Sequence, residues 1–215
     1  MPLVGETAGT VFPGAIDTQY MAEYEPGVIE AVKQLEFSEG CIPVGTLAGV
    51  TSQSVPDSIA NTSVTLTAGT VTQTYIGLRA GQTVTKLSII TGATPATTPT
   101  NQWAGLASPV GATPLVVAIS PDGLTAAMAA NTVISFTLTT PYVVPTTGWY
   151  LAFVCVAATT GPTAAAGTSL GATGRGAIAP FIAGPGGTAK TTPPAIGVAL
   201  TATSASGPQL LVYAN

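Results

Sequence analysis

The residues able to do chemistry in this 215-residue chain are few and poorly placed for it. There is no histidine, and seven of the nine carboxylates (Glu6, Asp17, Glu23, Glu25, Glu30, Glu36, Glu39) precede position 40, leaving Asp57 and Asp122 for everything beyond. General acid–base and nucleophilic mechanisms need at least two polar groups of tuned pKa converging on one point. Asp57 with Asp122 is the sole formal candidate for a glycosidase couple in the body of the chain, and no Gly-x-Ser-x-Gly elbow occurs. Asp122 follows Pro121 and precedes Gly123, which reads as a turn; a calcium ion would want several carboxylates there, not one. Cys41 and Cys155 stand alone among apolar neighbours, with no histidine or adjacent cation to lower a thiol pKa, so both read as small core hydrophobes and a disulfide between them stays open. The expectation is a structural or binding protein with no catalytic residues, no metal and no cofactor.

Gly171-x-x-Gly174-x-Gly176 has the spacing of a phosphate-cradling loop but lacks the Gly-Lys-Ser/Thr ending and a following helix, so it reads as loop glycine. Asn61-Thr62-Ser63 matches a glycosylation acceptor, which without a secretory signal is chance. An exposed tryptophan can stack on a sugar ring. Trp103 is the candidate glycan contact, whereas Trp149, inside Gly148-Trp149-Tyr150-Leu151-Ala152-Phe153, reads as core.

Charge divides the chain in two. Residues 1–57 hold eight acids against Lys33, and residues 58–215 hold Asp122 against Arg79, Lys86, Arg175 and Lys190. Four scattered cations cannot form the stripe that nucleic-acid binding requires. Apolar residues make up 46% and mean hydropathy is +0.50, yet the longest apolar run, Trp149 to Ala158, is about half of the ~20 residues a spanning helix needs, so no membrane insertion is expected. Residues 1–6 show neither a basic n-region nor an apolar h-region.

The elements follow the same division. Residues 1–57 predict an extended arm and one helix of about three turns: Pro26 suits its first position, Val28, Val32 and Leu35 recur on one face, and Gly40 ends it. A helix so short must dock on something, which makes Phe12, Tyr20, Tyr24, Val28, Val32 and Leu35 the candidate anchoring residues. Residues 58–215 predict strands at Ser63 to Thr67, Thr72 to Arg79, Thr83 to Thr91, Gln102 to Leu106, Leu115 to Ser120, Val133 to Leu138, Pro141 to Val144, Trp149 to Ala157, Ile196 to Thr203 and Gln209 to Tyr213. Ile134, Phe136 and Leu138 alternate with Ser135, Thr137 and Thr139, and Ile196, Val198 and Leu200 with Gly197, Ala199 and Thr201. Period 2 marks half-buried antiparallel strands. The fold class is mainly β, an antiparallel sandwich of immunoglobulin-like or jelly-roll type. Two loops interrupt it, at 92–100 and a Gly/Pro-rich one at 159–194 that is long enough to hide a strand, with Arg175 to Ile182 the candidate.

Thr74 to Leu87, Trp103 to Leu106, Val116 to Ser120 and Phe136 to Ala152 carry, in order, a strand ending in an Ala-Gly turn, a Gly-Leu strand, an Ala-containing strand and a hairpin closing on Gly-Trp-Tyr. In this, residues 62–158 resemble the β-sandwich module of minor tail proteins from bacteriophages of actinobacteria. The resemblance implies an immunoglobulin-like sandwich displayed on the virion in several copies, in contact with other virion proteins and with host surface glycan. It implies particles assembled in the host cytoplasm, which fits the missing signal. The acidic front and the stretch after Ala158 depart from the module, which leaves capsid decoration as the alternative to a minor tail protein and a glycan-binding module as a third reading. So little charge also predicts a homo-oligomer or multi-copy lattice, and the resemblance to phage surface proteins implies a trimer as the first expectation.

Overall fold

The computed structural model describes residues 50–55, 60–108, 114–167, 190–200 and 208–215. The arm, the helix and the anchoring residues Phe12, Tyr20, Tyr24, Val28, Val32 and Leu35 lie outside the described residues, as do Cys41, Asp57, the 171–176 glycines and Arg175 to Ile182.

What is described is mainly β, and no helix occurs among the described residues. The strands run β1 Ser52–Gln53, β2 Thr62–Thr65, β3 Val71–Leu78, β4 Thr83–Ile90, β5 Asn101–Ala107, β6 Val116–Ile119, β7 Val133–Val143, β8 Gly148–Ala157, β9 Thr163–Gly167, β10 Gln209–Leu210 and β11 Tyr213–Ala214. They form two four-stranded sheets, β1-β11-β4-β7 and β3-β8-β5-β6, and a smaller third, β10-β9-β2, with every pairing antiparallel.

The two four-stranded sheets share one core. Leu87, Ile89, Phe136 and Leu138 from one meet Ile76, Leu78, Leu106, Tyr150, Val154 and Val156 from the other. Val84 also points inward although its parity is opposite to that of Leu87, because a β-bulge between Val84 and Lys86 re-aims the strand. The alternation in β7 works as its period predicts: Phe136 and Leu138 are buried, Ile134 half-buried, and Ser135, Thr137 and Thr139 exposed.

The β3-β8-β5-β6 sheet is buried on its second face as well. Tyr75, Trp103, Leu151, Phe153 and Cys155 form a separate cluster there with Leu200. Residues 190–200 run across this face from one edge strand to the other: the Lys190 N–H donates to the Gly69 carbonyl (2.9 Å) just before β3, and the Val116 N–H of β6 donates to the Val198 carbonyl (2.9 Å). Phe153 fits because its cross-strand partner is Gly105, where a Cβ would stand 2.5 Å from the phenyl ring and 2.5 Å from the Ala118 carbonyl.

Several boundaries differ from the expectation. The two runs Val133 to Leu138 and Pro141 to Val144 are one strand, β7, because the bulge absorbs the proline. The loop 159–194 contains β9, a run of Ala and Thr whose pairing to β2 and β10 no apolar periodicity announces. Ile196 to Leu200 is not a half-buried strand: Gly197 sits at φ 84 in a turn, and Ile196 (62%) and Val198 (46%) are exposed. Gln209 to Tyr213 is split into β10 and β11, and the chain changes sheets between them.

Candidate functional site

The described carboxylate and thiol are committed to structure. Asp122 is the sole described carboxylate side chain; its Oδ1 accepts from the N–H groups of Gln102 and Leu124 (2.9 Å each) and its Oδ2 from Asn101 Nδ2 (2.6 Å). These bonds pin the loop after β6 to the start of β5. Gln102 completes the tie by donating from Nε2 to the Ala126 carbonyl (2.5 Å). Cys155 is a free, buried thiol with Sγ 3.7 Å from the Lys190 carbonyl; burial pushes its pKa up to about 12, the charge of Asp122 adds to the rise, and Lys190 offsets part of it. A thiol so raised stays protonated at neutral pH and is a poor nucleophile. Among the described residues no three His, Cys, Asp or Glu side chains gather as a metal would need.

The two tryptophans exchange the places expected of them. Trp103 is 1% exposed, paired across to Cys155 and set edge-on to Phe153 (centroids 6.0 Å, 76°), so neither ring face is open to a glycan. Its position on β5, interior to the sheet and under residues 190–200, is the physical reason. Trp149 lies at the start of β8, beyond Leu151 where the second-face cluster ends, and is 37% exposed opposite Gly77, which offers no side chain to cover it. An apolar run read as core therefore hid an accessible ring, and the glycine opposite was the signal.

A groove of about 360 Å³ lies beside the outer edge of β7. One wall is the strand itself, Val133 to Thr137; the other is the loop tied down by Asp122 and Gln102, through Pro121, Gly123, Ala126 and Ala127. The strand's outward main chain is identifiable. Lys86 and Asn215 exchange both N–H···O bonds (3.1 Å each), so even positions of β4 face β11, and the Thr91 N–H donates to the Thr132 carbonyl (2.9 Å), so odd positions of β4 and even positions of β7 face one another. Val133, Ser135 and Thr137 therefore point their N–H and C=O groups into the groove, where no described residue pairs with them. A shallower depression of about 340 Å³, lined by Ala68, Gly69, Thr98, Thr100 and Ala157 to Thr159, holds no ionisable side chain.

Chemically the arrangement offers main-chain hydrogen bonds, hydroxyls and one indole face. Compared with known proteins, the chain matches no family model, no curated protein and no solved structure. Sequence periodicity located β7 and its faces; it did not reveal the free edge, because strand order depends on pairings distant in the chain.

Proposed function

We propose that the chain is a non-enzymatic structural protein of a bacteriophage virion, a minor tail protein whose two four-stranded sheets form an immunoglobulin-like or jelly-roll β-sandwich displayed outward, with residues 1–57 attaching it to the particle. One observation carries the reading: the sole described carboxylate is consumed in a turn and the described thiol in packing, while the exposed face of β7 is rich in Ser and Thr. Such a body is equipped for contact, not turnover.

The segments that resemble the phage module support it by where they fall. Thr74 to Leu87 spans β3, β4 and the turn at Gly81 (φ 81) that carries the chain from one sheet to the other, Trp103 to Leu106 lies in β5, Val116 to Ser120 covers β6, and Phe136 to Ala152 spans β7, β8 and a connection that changes sheets where the module has a hairpin. Capsid decoration is the second reading, since an outward sandwich serves on a head as well as on a tail. Glycan contact, if the protein makes one, falls to Trp149 in place of Trp103.

Immunogold labelling of purified particles with antibody to this chain, together with its copy number by quantitative mass spectrometry, tests the proposal. Label confined to the tail at a copy number far below that of the head shell protein is the expected result. Label over the head in comparable numbers selects decoration, and absence from particles overturns both.

A further inference from the structure

The groove beside β7 has an occupant of definite chemistry: an extended, uncharged strand that can pair with Val133, Ser135 and Thr137. We propose that this strand is β7 of a second copy, joined antiparallel about a twofold axis through Ser135, so that two β1-β11-β4-β7 sheets fuse into one of eight strands.

The argument begins with how the molecule treats its other edges. In the β3-β8-β5-β6 sheet, β3 is buried along nearly all its length with β1 and β10 against it, and β6 is closed by residues 197–200 through the Val198 carbonyl, the Gly197 N–H and the Leu200 N–H. In the smaller sheet, β10 has two residues and β2 four, and β1 at the far side of the β7 sheet has two. Short or covered edges are the usual protection against strand addition, as are charges on the edge strand. β7 has 11 residues and none is charged. Strands β5 and β6 pack beside β7 from the other sheet, but no described residue takes the outward main-chain groups of Val133, Ser135 and Thr137, so among the described residues the longest edge is the one without ladder partners.

The sequence of that edge suits itself as partner. Centring the pair on Ser135 sets Ser135 opposite Ser135 and Val133 opposite Thr137, with about six main-chain hydrogen bonds from the three outward positions of each copy. Val133, 44% exposed in the single chain, then meets a β-branched threonine, a favourable cross-strand pair. Ile134 and Phe136 remain on the inner face in both copies and extend its apolar surface. Pro141 and the irregular pairing of β7 with β4 beyond Thr137 limit the ladder to this segment. Lys86, beside Thr137, is the one cation on the described strands of this sheet, and its two copies stand at least three strand spacings apart, roughly 14 Å, beyond a Debye length at physiological salt. The contact is isologous and closes as a dimer, in contrast to the trimer that the resemblance to phage surface proteins implies. It deepens the multi-copy part of the virion reading, and it stands or falls on the purified chain whatever particle that chain occupies.

The full chain is tested by sedimentation velocity from about 1 to 200 µM, the range in which a small strand-paired interface dissociates. Monomer–dimer exchange is expected, insensitive to salt between about 0.05 and 1 M. Ser135→Pro removes an N–H that points out of the sheet, not one used within it, and it is expected to weaken dimerisation at least ~10-fold while circular dichroism and thermal midpoint show a folded protein. Val133→Lys, which places a charge on the edge without touching the backbone, should do the same and serves if the proline variant fails to fold. Hydrogen exchange adds a residue-level readout: amides of Val133, Ser135 and Thr137 gain protection with concentration, while those of Ile134 and Phe136, already paired to β4, do not change. A monomer throughout the range overturns the proposal. So does an oligomer that both variants leave intact, or one in which the Ser135 amide exchanges freely.

Discussion

Strands β7 and β8 are neighbours in sequence, joined by a short connection that crosses from one sheet to the other, yet they live in opposite conditions. β8 is buried on both faces from Tyr150 to Ala157; β7 is buried on one, with hydroxyl side chains on the other and, besides, an edge that no described strand pairs with. The difference is written in their side chains: Trp-Tyr-Leu-Ala-Phe-Val-Cys-Val-Ala has no period, whereas Ile-Ser-Phe-Thr-Leu-Thr has a period of 2. In an antiparallel sheet a continuous apolar run reports a second covering layer. Here that layer includes residues 190–200, which carry Leu200 onto the outer face.

The widest break in this comparison is expected at Trp103. Fully enclosed between Phe153 and the covering segment, it loses both transfer energy and packing on truncation, so Trp103→Ala should cost about 3–5 kcal/mol in urea denaturation. Trp149→Ala, at the exposed end of the same strand face, should cost about 1 kcal/mol, since much of its ring already meets water. Equal losses would mean that the second face is not a closed layer.

Alkaline pH sharpens the same contrast. The Cys155 thiol has a pKa raised from 9.0 to about 12, chiefly by burial, and Tyr142 is raised from 10.0 to about 12 by burial and then by the charge and hydrogen bond of Tyr150. Both are acids whose folded pKa exceeds the unfolded one, so above pH 9 the unfolded chain releases protons that the folded chain keeps. Their stabilisation is complete below pH 9 and is lost as pH climbs toward 12. Thermal midpoints recorded from neutral pH upward should hold level and then fall. Cys155→Ala should make the fall shallower from pH 9 and Tyr142→Phe from pH 10; identical slopes in wild type and both variants would contradict the assigned causes.

The parts legible in the sequence are those set by near neighbours. Alternation at Ile134, Phe136 and Leu138 identified the buried face of β7, and the turn residues after β3 and after β7 marked where those strands end; the hairpin expected of Phe136 to Ala152 is instead a crossing between sheets, since β7 pairs with β4 and β8 with β3 and β5. What escaped depends on distant pairings. β9 is five small residues that mean little until β2 and β10 flank them. Ile196, Val198 and Leu200 alternate like a strand, but the place beside β6 is reached through a turn at Gly197, and the alternation ends up half in solvent. Trp103 and Trp149 carry no local mark of which is enclosed, because the answer lies in where residues 190–200 cross the sheet.

The smallest effect is expected on the outer face of β7, and it marks the other end of the comparison. Thr139 is exposed on a strand covered on one side only, and it bonds to no described side chain. It also lies beyond the regular edge segment from Val133 to Thr137. Replacing it with alanine deletes no packing and leaves no buried polar group; what remains is the loss of a β-branched side chain's preference for extended backbone. Thr139→Ala should therefore shift stability by no more than about 0.5 kcal/mol in the same denaturation assay that exposes Trp103→Ala. A loss above about 1 kcal/mol would show that this face is covered after all, and β7 would then resemble β8 more than its alternation allows.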